Sequence, residues 1–388
     1  MMSQATKVNV FTAYKRVDKK VKPVPTVFPE DAKVKRQFPE DPLDSLPNLP
    51  SHPPVFIPTQ RLTTENVKLL NIDSNDFLWP EEKKLFLYIM SVNERTLAFD
   101  ETQRGTLRDD YFSPYIIPVI PHTPWEHHNI PIPPALRDQV IALLKEKIKA
   151  GVYEPSQLSY RSRWFTVLKK NGNLQIVHDL QALNSVTVRE AGLPPVLESF
   201  VEPFAGCQCY TLFDMYWGFD ARKVHPSSRD LTSFLTPLGL LCITSIPMGF
   251  TNSPAEFQAC MVFILQDEIP NKTNIFIDDL PIMGPKTQYL DKDGNPETIT
   301  DNPGIRRFIW EHAQDVHRIM HRIGHAGGTF APKKAQICRP EVIIVGNKCS
   351  AAGRVPDDSR VQKILEWPTL TTVKDIRGFL GLCETVYI

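Results

Sequence analysis

The order of elements legible along the chain predicts an α+β fold. Three observations carry it: an amphipathic helix stopped by glycine over residues 134–151, a strand pair around Asn171-Gly172, and the apolar run NIFIDDLPIMG at 274–284, broken by two adjacent carboxylates. Helix, hairpin, strand, helix, hairpin and helix follow one another without the repeating βαβ of a doubly wound sheet.

Composition narrows the function classes. The 388 residues carry 44 Lys+Arg against 44 Asp+Glu, so the net charge is zero and any nucleic-acid-binding surface must be local. No apolar run is long enough to span a membrane, and the N-terminal MMSQATKVNV lacks a charged-then-apolar signal, so the expectation is an intracellular protein without a membrane partner. Seven cysteines are scattered without the paired spacing of a zinc site and read as reduced thiols. Asn271-Lys272-Thr273 matches a glycosylation sequon, which carries no meaning without a secretory signal.

Residues 1–62, rich in proline and charge, read as a disordered or extended linker. Residues 63–114 read as a small helical region, since PEEKKLFLYIM offers proline and acids in a first turn and then an apolar face. In PALRDQVIALLKEKIKAG, Leu136, Val140, Leu143, Leu144 and Ile148 share one helical face, and Gly151 stands as the C-terminal cap. RWFTVLKKNGNLQIVHDL reads as two strands around a tight Asn171-Gly172 turn. CYTLFD is a strand ending on Asp214, and SPAEFQACMVFILQDEI a helix whose Ser253, Pro254 and Glu256 suggest a capping box. YLDKDGNPETITDNPG is expected to be a loop, EVIIVGNKCSAAGRV a two-strand unit, and DSRVQKILEW and TTVKDIRGFLGL closing helices. His317, His321 and His325 recur every fourth residue, as metal ligands on one helical face would. Arg318 and Arg322 make a basic, solvated or nucleic-acid-facing stripe the simpler reading.

The carboxylates set the chemistry. Neighbouring side chains in a strand point to opposite faces, so Asp278 and Asp279 can share a task only at a hairpin tip. Adjacent aspartates at a turn also simply satisfy turn geometry. If the strand ending at Asp214 lies beside that hairpin, three carboxylates converge on one sheet edge. Such a set can hold two divalent ions about 3.5–4 Å apart for in-line phosphoryl transfer. Hard oxygen ligands suit Mg²⁺.

In order and spacing, SYRSRWFTVLKKNG, HDLQALN, YTLFDMYWGFDARKV, TSFLTPLGLLCITSIPMGFTNSPAEFQ, NIFIDDL, HAGGTFAPKKAQICRPEVIIVGNKCSAAGRVPDD and VKDIRGFLGL resemble the reverse transcriptase of gypsy-type LTR retrotransposons over residues 115–388. The preceding region resembles the segment after the protease in fungal polyproteins of this kind, although no Asp-Ser/Thr-Gly triplet occurs. The resemblance implies a right-hand polymerase: fingers and the start of the palm at 115–213, a palm with the metal site and primer-grip hairpin at 214–350, and an incomplete thumb at 351–388. It implies template-directed DNA synthesis from dNTPs on a primed RNA or DNA template with two Mg²⁺ ions, Mn²⁺ substituting, in the cytoplasm, a virus-like particle or the nucleus. Asp214, Asp278 and Asp279 become the catalytic metal ligands, with the Met215 carbonyl beside them. Phe219 falls at an aromatic gate against the 2′-hydroxyl, and Met248 and Gly249 in the segment against the incoming nucleotide. Lys169, with Lys170 as a near competitor, falls at a triphosphate lysine. Val345, Gly346 and Asn347 match the primer grip, where glycine lets backbone approach primer phosphates. Lys374, Arg377 and Gly381 match the thumb helix that tracks the duplex.

Two departures stand out. Gln175 occupies the position of a family arginine that contacts the α-phosphate, and a glutamine brings no positive charge. Pro281 lies in the strand after the acid pair, tolerable only where no ladder bond is needed. With the chain ending at Tyr387-Ile388, the alternative is a truncated, catalytically weak relic that still binds primer–template. An RNA-dependent RNA polymerase shares the two-metal logic, and Phe219 speaks against it.

Overall fold

The computed structural model describes residues 24, 26–72, 76–157, 159–168, 172, 174–192 and 194–384. Lys169, Lys170 and Asn171 lie outside the described residues, and so does the turn that Asn171 would form.

Of the disordered or extended linker expected over residues 1–62, residues 26–62 are extended and held against the rest of the molecule. Proline keeps this segment extended, and it satisfies itself against the rest of the molecule instead of building a core of its own. Gln37 donates its backbone N–H to the Tyr111 carbonyl, Arg36 reaches Glu256 at 2.7 Å, and Leu62 is fully buried. The helices α1 (Thr64–Leu69) and α2 (Pro80–Val92) follow. Leu85, Phe86, Ile89 and Met90 of α2 belong to the central core. Glu82 of α2 is wholly buried, accepting from the Trp79 N–H and from the Arg306 guanidinium at 2.6 and 2.8 Å. A buried carboxylate is tolerated when it is paired and hydrogen-bonded in this way.

Helix α3 (Arg137–Lys149) ends with Gly151 at φ +69°, as its sequence predicts. Val140 and Leu144 pack with Tyr153, Trp164, Phe234, Leu241 and Ile243 over a three-stranded sheet in the order β1 (Tyr153–Pro155), β6 (Gly239–Ile243), β5 (Phe234–Thr236). The strands β2 (Trp164–Leu168) and β3 (Leu174–His178) pair antiparallel, with Leu168 opposite Leu174. Helices α4 (Gln181–Val186) and α5 (Leu197–Val201) lead into the central sheet, ordered β10 (Gln336–Arg339), β4 (Tyr210–Asp214), β7 (Asp279–Met283).

Helices α6 (Ser253–Ile264) and α7 (Arg307–His325) share one core with that sheet, which unites Phe213, Leu280, Ile282, Phe257, Cys260, Ile309, Ala313 and Val316. The capping box expected at α6 does not form. Asn252 is the cap residue, Ser253 Oγ donates to the Pro247 carbonyl, and Glu256 is fully buried between the Arg222 and Arg36 guanidinium groups, both at 2.7 Å. Pairing two cations outweighs capping for that carboxylate.

The basic stripe expected on α7 is likewise corrected. His317 Nε2 lies 2.8 Å from the Pro47 carbonyl, His321 Nε2 2.9 Å from the Pro42 carbonyl, and His325 Nε2 3.0 Å from Glu40. Arg318 and Arg322 pair with Glu268, Asp315 and Asp267. The histidines therefore pin the N-terminal segment to α7, and the arginines are neutralised locally.

Within the expected loop after Tyr289, β8 (Thr298–Ile299) and β9 (Asn302–Arg306) pair. The expected two-strand unit has a third member: β11 (Glu341–Ile344), β12 (Asn347–Ser350) and β13 (Gly353–Pro356) form one antiparallel sheet. Helices α8 (Asp358–Leu365) and α9 (Val373–Glu384) end the chain, with Trp367 set against Phe379 at 5.7 Å. No helix among the described residues is long and apolar enough to cross a membrane.

Candidate active site

Strand β4 ends where β7 begins, and their register sets Asp214 directly opposite Asp279. Phe276 and Asp279 exchange both backbone hydrogen bonds, at 3.0 and 3.1 Å, so Ile277 and Asp278 form a two-residue tip. Ile277 has φ +58°, a conformation that a β-branched side chain resists. Such strain persists only where surroundings over-determine it. Here Gln258 of α6, itself buried, accepts from the Ile277 N–H at 2.7 Å and donates to the Ile275 carbonyl at 3.0 Å. The Asp278 carbonyl accepts from the Met215 N–H at 3.0 Å, fastening the tip to the end of β4.

Asp279 and Met283 direct their backbone N–H groups toward Phe276 and Lys272, away from β4. By alternation Pro281 faces the same way, and opposite Leu212 it costs the β4 ladder no bond. Its carbonyl accepts from Thr273 Oγ1 at 2.7 Å.

The three acids differ in setting. Asp278 is exposed, whereas Asp214 and Asp279 are half-buried. Burial, with the charges of Asp278 and Asp214 added, pushes the Asp279 carboxyl up to about 6. Asp214 is raised by burial and by Asp278, against the opposing pull of Lys334. The Lys334 ammonium donates to both Asp214 oxygens at 2.9 Å. Mutual elevation and a lysine cation lodged on one carboxylate mark a place that lacks positive charge. Hard oxygen donors of this kind fit a divalent ion of the Mg²⁺ class.

Phe219 is half-buried in the turn Gly218–Ala221, edge-on to Phe257 of α6 at 5.7 Å. A Cβ on Gly218 would lie 2.8 Å from the Phe257 ring, so that glycine is what lets the turn close on α6. Met248 is exposed, Gly249 has φ +87°, and Gln175 Nε2 of β3 lies 3.9 Å from Met248 Sδ. Asn184 braces this loop, donating to the Gly249 carbonyl and accepting from the Thr251 N–H, both at 2.9 Å. Helix α6 thus joins three parts of the site: its start follows the Met248 loop, Phe257 meets Phe219, and Gln258 holds the acidic tip.

Val345 and Gly346, at φ +44° and +80°, form the two-residue turn between β11 and β12, next to Asn347. The structure gives this glycine a packing reason of its own. A Cβ at Gly346 would collide with the Arg360 guanidinium, which donates to the Val345 carbonyl at 3.2 Å. Asp357 donates its N–H to the Gly346 carbonyl at 3.1 Å, so the turn is docked on the start of α8. Lys374, Arg377 and Gly381 are all exposed on α9 at helical spacing.

Sequence reasoning missed Lys334, Gln258, Asn184 and Arg360. Lys334 stands in the quoted APKKAQ, and nothing in that stretch signals that it reaches Asp214, 120 positions earlier.

The family model for reverse transcriptase (RNA-dependent DNA polymerase) matches residues 163–367. The chain is 22% identical over 293 residues to the retrovirus-related Pol polyprotein from transposon 297 of Drosophila melanogaster, covering 74% of this chain and 25% of that protein. It is 25% identical to the Pro-Pol polyprotein of simian foamy virus type 1, covering 78% of this chain and 24% of that one. It therefore spans about a quarter of these relatives' length. Among solved structures, the foamy viral protease-reverse transcriptase in complex with double-stranded DNA superposes with a TM-score of 0.69 at 21% identity, over 85% of this chain and 63% of that one. The same enzyme with an RNA/DNA hybrid gives 0.66 at 20% identity, over 85% and 41%. The fold is that of a right-hand polymerase. Since the matched segment is more than half of the chain and includes both acidic strands, this chain belongs to the reverse transcriptase (RNA-dependent DNA polymerase) family.

Proposed function

We propose that this chain is the polymerase portion of a gypsy-type LTR retrotransposon polyprotein, fungal in origin, that extends a primer 3′-hydroxyl with dNTPs on an RNA or DNA template. The observation that carries this reading is the register of Asp214 against Asp279 with Asp278 at the tip beside them. The neighbours solved with double-stranded DNA and with an RNA/DNA hybrid support a nucleic-acid partner of that kind.

Asp214, Asp278 and Asp279, with the Met215 carbonyl, would hold two Mg²⁺ ions. When bound, these supply Lewis acidity to the attacking hydroxyl and charge stabilisation to the departing pyrophosphate. The chain's own residues position the reactants. The Phe219 ring, backed by Phe257, excludes a 2′-hydroxyl from the sugar site. Met248, Gly249 and Gln175 border the incoming nucleotide, and the sequence resemblance alone assigns Lys169 to its triphosphate. The Val345-Gly346-Asn347 turn seats the primer strand, and Lys374, Arg377 and Gly381 follow the duplex backbone, reading shape rather than sequence. Lys334, which donates to both Asp214 oxygens, neutralises that carboxylate in the metal-free site. The site works in the cytoplasm, in a virus-like particle or in the nucleus.

Primer extension on poly(rA)/oligo(dT), with Mg²⁺ and then Mn²⁺, tests the reading. Incorporation well above a mock preparation is expected. Incorporation at the mock level with both metals would contradict it.

A further inference from the structure

At the opposite end of β4 from Asp214, three metal-ligating side chains from distant parts of the sequence meet inside the core. Cys209 precedes β4, Cys338 lies in β10, and His312 lies in α7; one ligand atom from each falls within 4.8 Å of the others. All three residues are buried.

Two details go beyond the ordinary burial of free cysteines. Cys338 has φ +45° and sits where the β10–β4 register shifts, between the Gln336–Leu212 and Arg339–Tyr210 pairs. Irregularities of this sort re-aim a side chain, and strain at a non-glycine residue marks a position the fold has fixed. His312 Nε2 lies 2.8 Å from Thr211 Oγ1, and its Nδ1 is buried with no hydrogen bond of good geometry, the Met283 backbone lying close to the ring. A buried nitrogen held so poorly is one that a ligated ion would satisfy. The hydroxyl on the other ring nitrogen is the partner that fixes the tautomer and ring orientation of a metal-bound histidine. Thr211 Oγ1 also accepts from the Cys338 N–H at 3.1 Å, so one hydroxyl orders two of the three ligands.

We propose that Cys209, Cys338 and His312 form a three-ligand structural site for a thiophilic d¹⁰ cation, Zn²⁺ or Cu⁺, tying β4 to β10 and α7 independently of the acidic site. Two thiolates and one imidazole are the soft donors such ions prefer. On binding, each thiol S–H bond gives way to a sulfur–metal bond, the two protons leave to solvent, and His312 Nδ1 donates its lone pair. With Zn²⁺ the charges of ion and thiolates cancel, which suits a buried site. With Cu⁺ three ligands complete the coordination.

The test uses the full chain, refolded in reducing buffer with Zn²⁺ alone or Cu⁺ alone and dialysed against metal-free buffer. Elemental analysis should find about one ion per chain in at least one arm, and that arm names the cation. Asp278→Asn should keep it, and Cys209→Ser/Cys338→Ser should lose it by about tenfold or more. Near-zero metal in both arms, or equal metal in the double variant, overturns the proposal. If the double variant does not fold, X-ray absorption on the loaded parent decides: two sulfur neighbours support the site, and only nitrogen or oxygen neighbours overturn it.

Discussion

Asp278 and Asp279 are adjacent in sequence and unlike in the fold. Asp278 projects from the turn into solvent, whereas Asp279 begins a strand opposite Asp214, and its carboxyl is pushed up to about 6, chiefly by burial. In an unfolded chain the same group titrates near 4. Because the folded value lies above the unfolded one, the ionised carboxylate destabilises the metal-free protein at pH values above about 6. That penalty disappears as pH falls toward 4. Asp279→Asn should therefore stabilise the metal-free protein by about 1–2 kcal/mol at pH 8, after allowance for solvent screening, and by nothing at pH 4. Urea denaturation at the two pH values checks this, and an equal effect at both would rule out the raised carboxyl. Lys334 belongs to the same balance: it pairs with Asp214 and, without touching Asp279, also eases the charge there.

Among the elements, the turn between β11 and β12 couples the sheet to the last two helices. Gly346 combines φ +80° with a Cα against which Arg360 is packed. Gly346→Ala should strain the turn and push α8 away, weakening primer–template binding about tenfold or more while nucleotide KM stays close to the parent value. Filter binding and steady-state extension separate the two effects, and unchanged duplex affinity would show that α8 does not depend on this turn. Elements with local signatures were legible in the sequence: Gly151 closing α3, the strand ending at Asp214, the tip at Asp278 and the helices at 358–365 and 373–384. What stayed hidden depends on partners far along the chain. Glu256 looks like a capping residue until Arg36 and Arg222 are seen to claim it, and the α7 histidines look solvated until residues 40–47 cover them. Periodicity reports a face and not what lies upon it.

Over the whole molecule, the N-terminal segment, α2, α7 and the central sheet share one hydrophobic core. The acidic strands are thus held from behind by residues that a sequence reading assigns to a linker. Deleting residues 1–62 should cost at least about 3 kcal/mol, since Leu62 leaves a cavity and Glu256 loses a partner. A urea midpoint unchanged by the deletion would show that the segment only rests on the surface. The central claim is that this framework exists to hold three carboxylates for phosphoryl transfer, and Asp278→Asn tests it most directly. Asp278 is exposed, so its replacement leaves the fold intact. The account predicts extension reduced by at least about a thousandfold with primer–template affinity within a few-fold of the parent, because a metal ligand is lost and no duplex contact is touched. Near-normal extension by Asp278→Asn would contradict it.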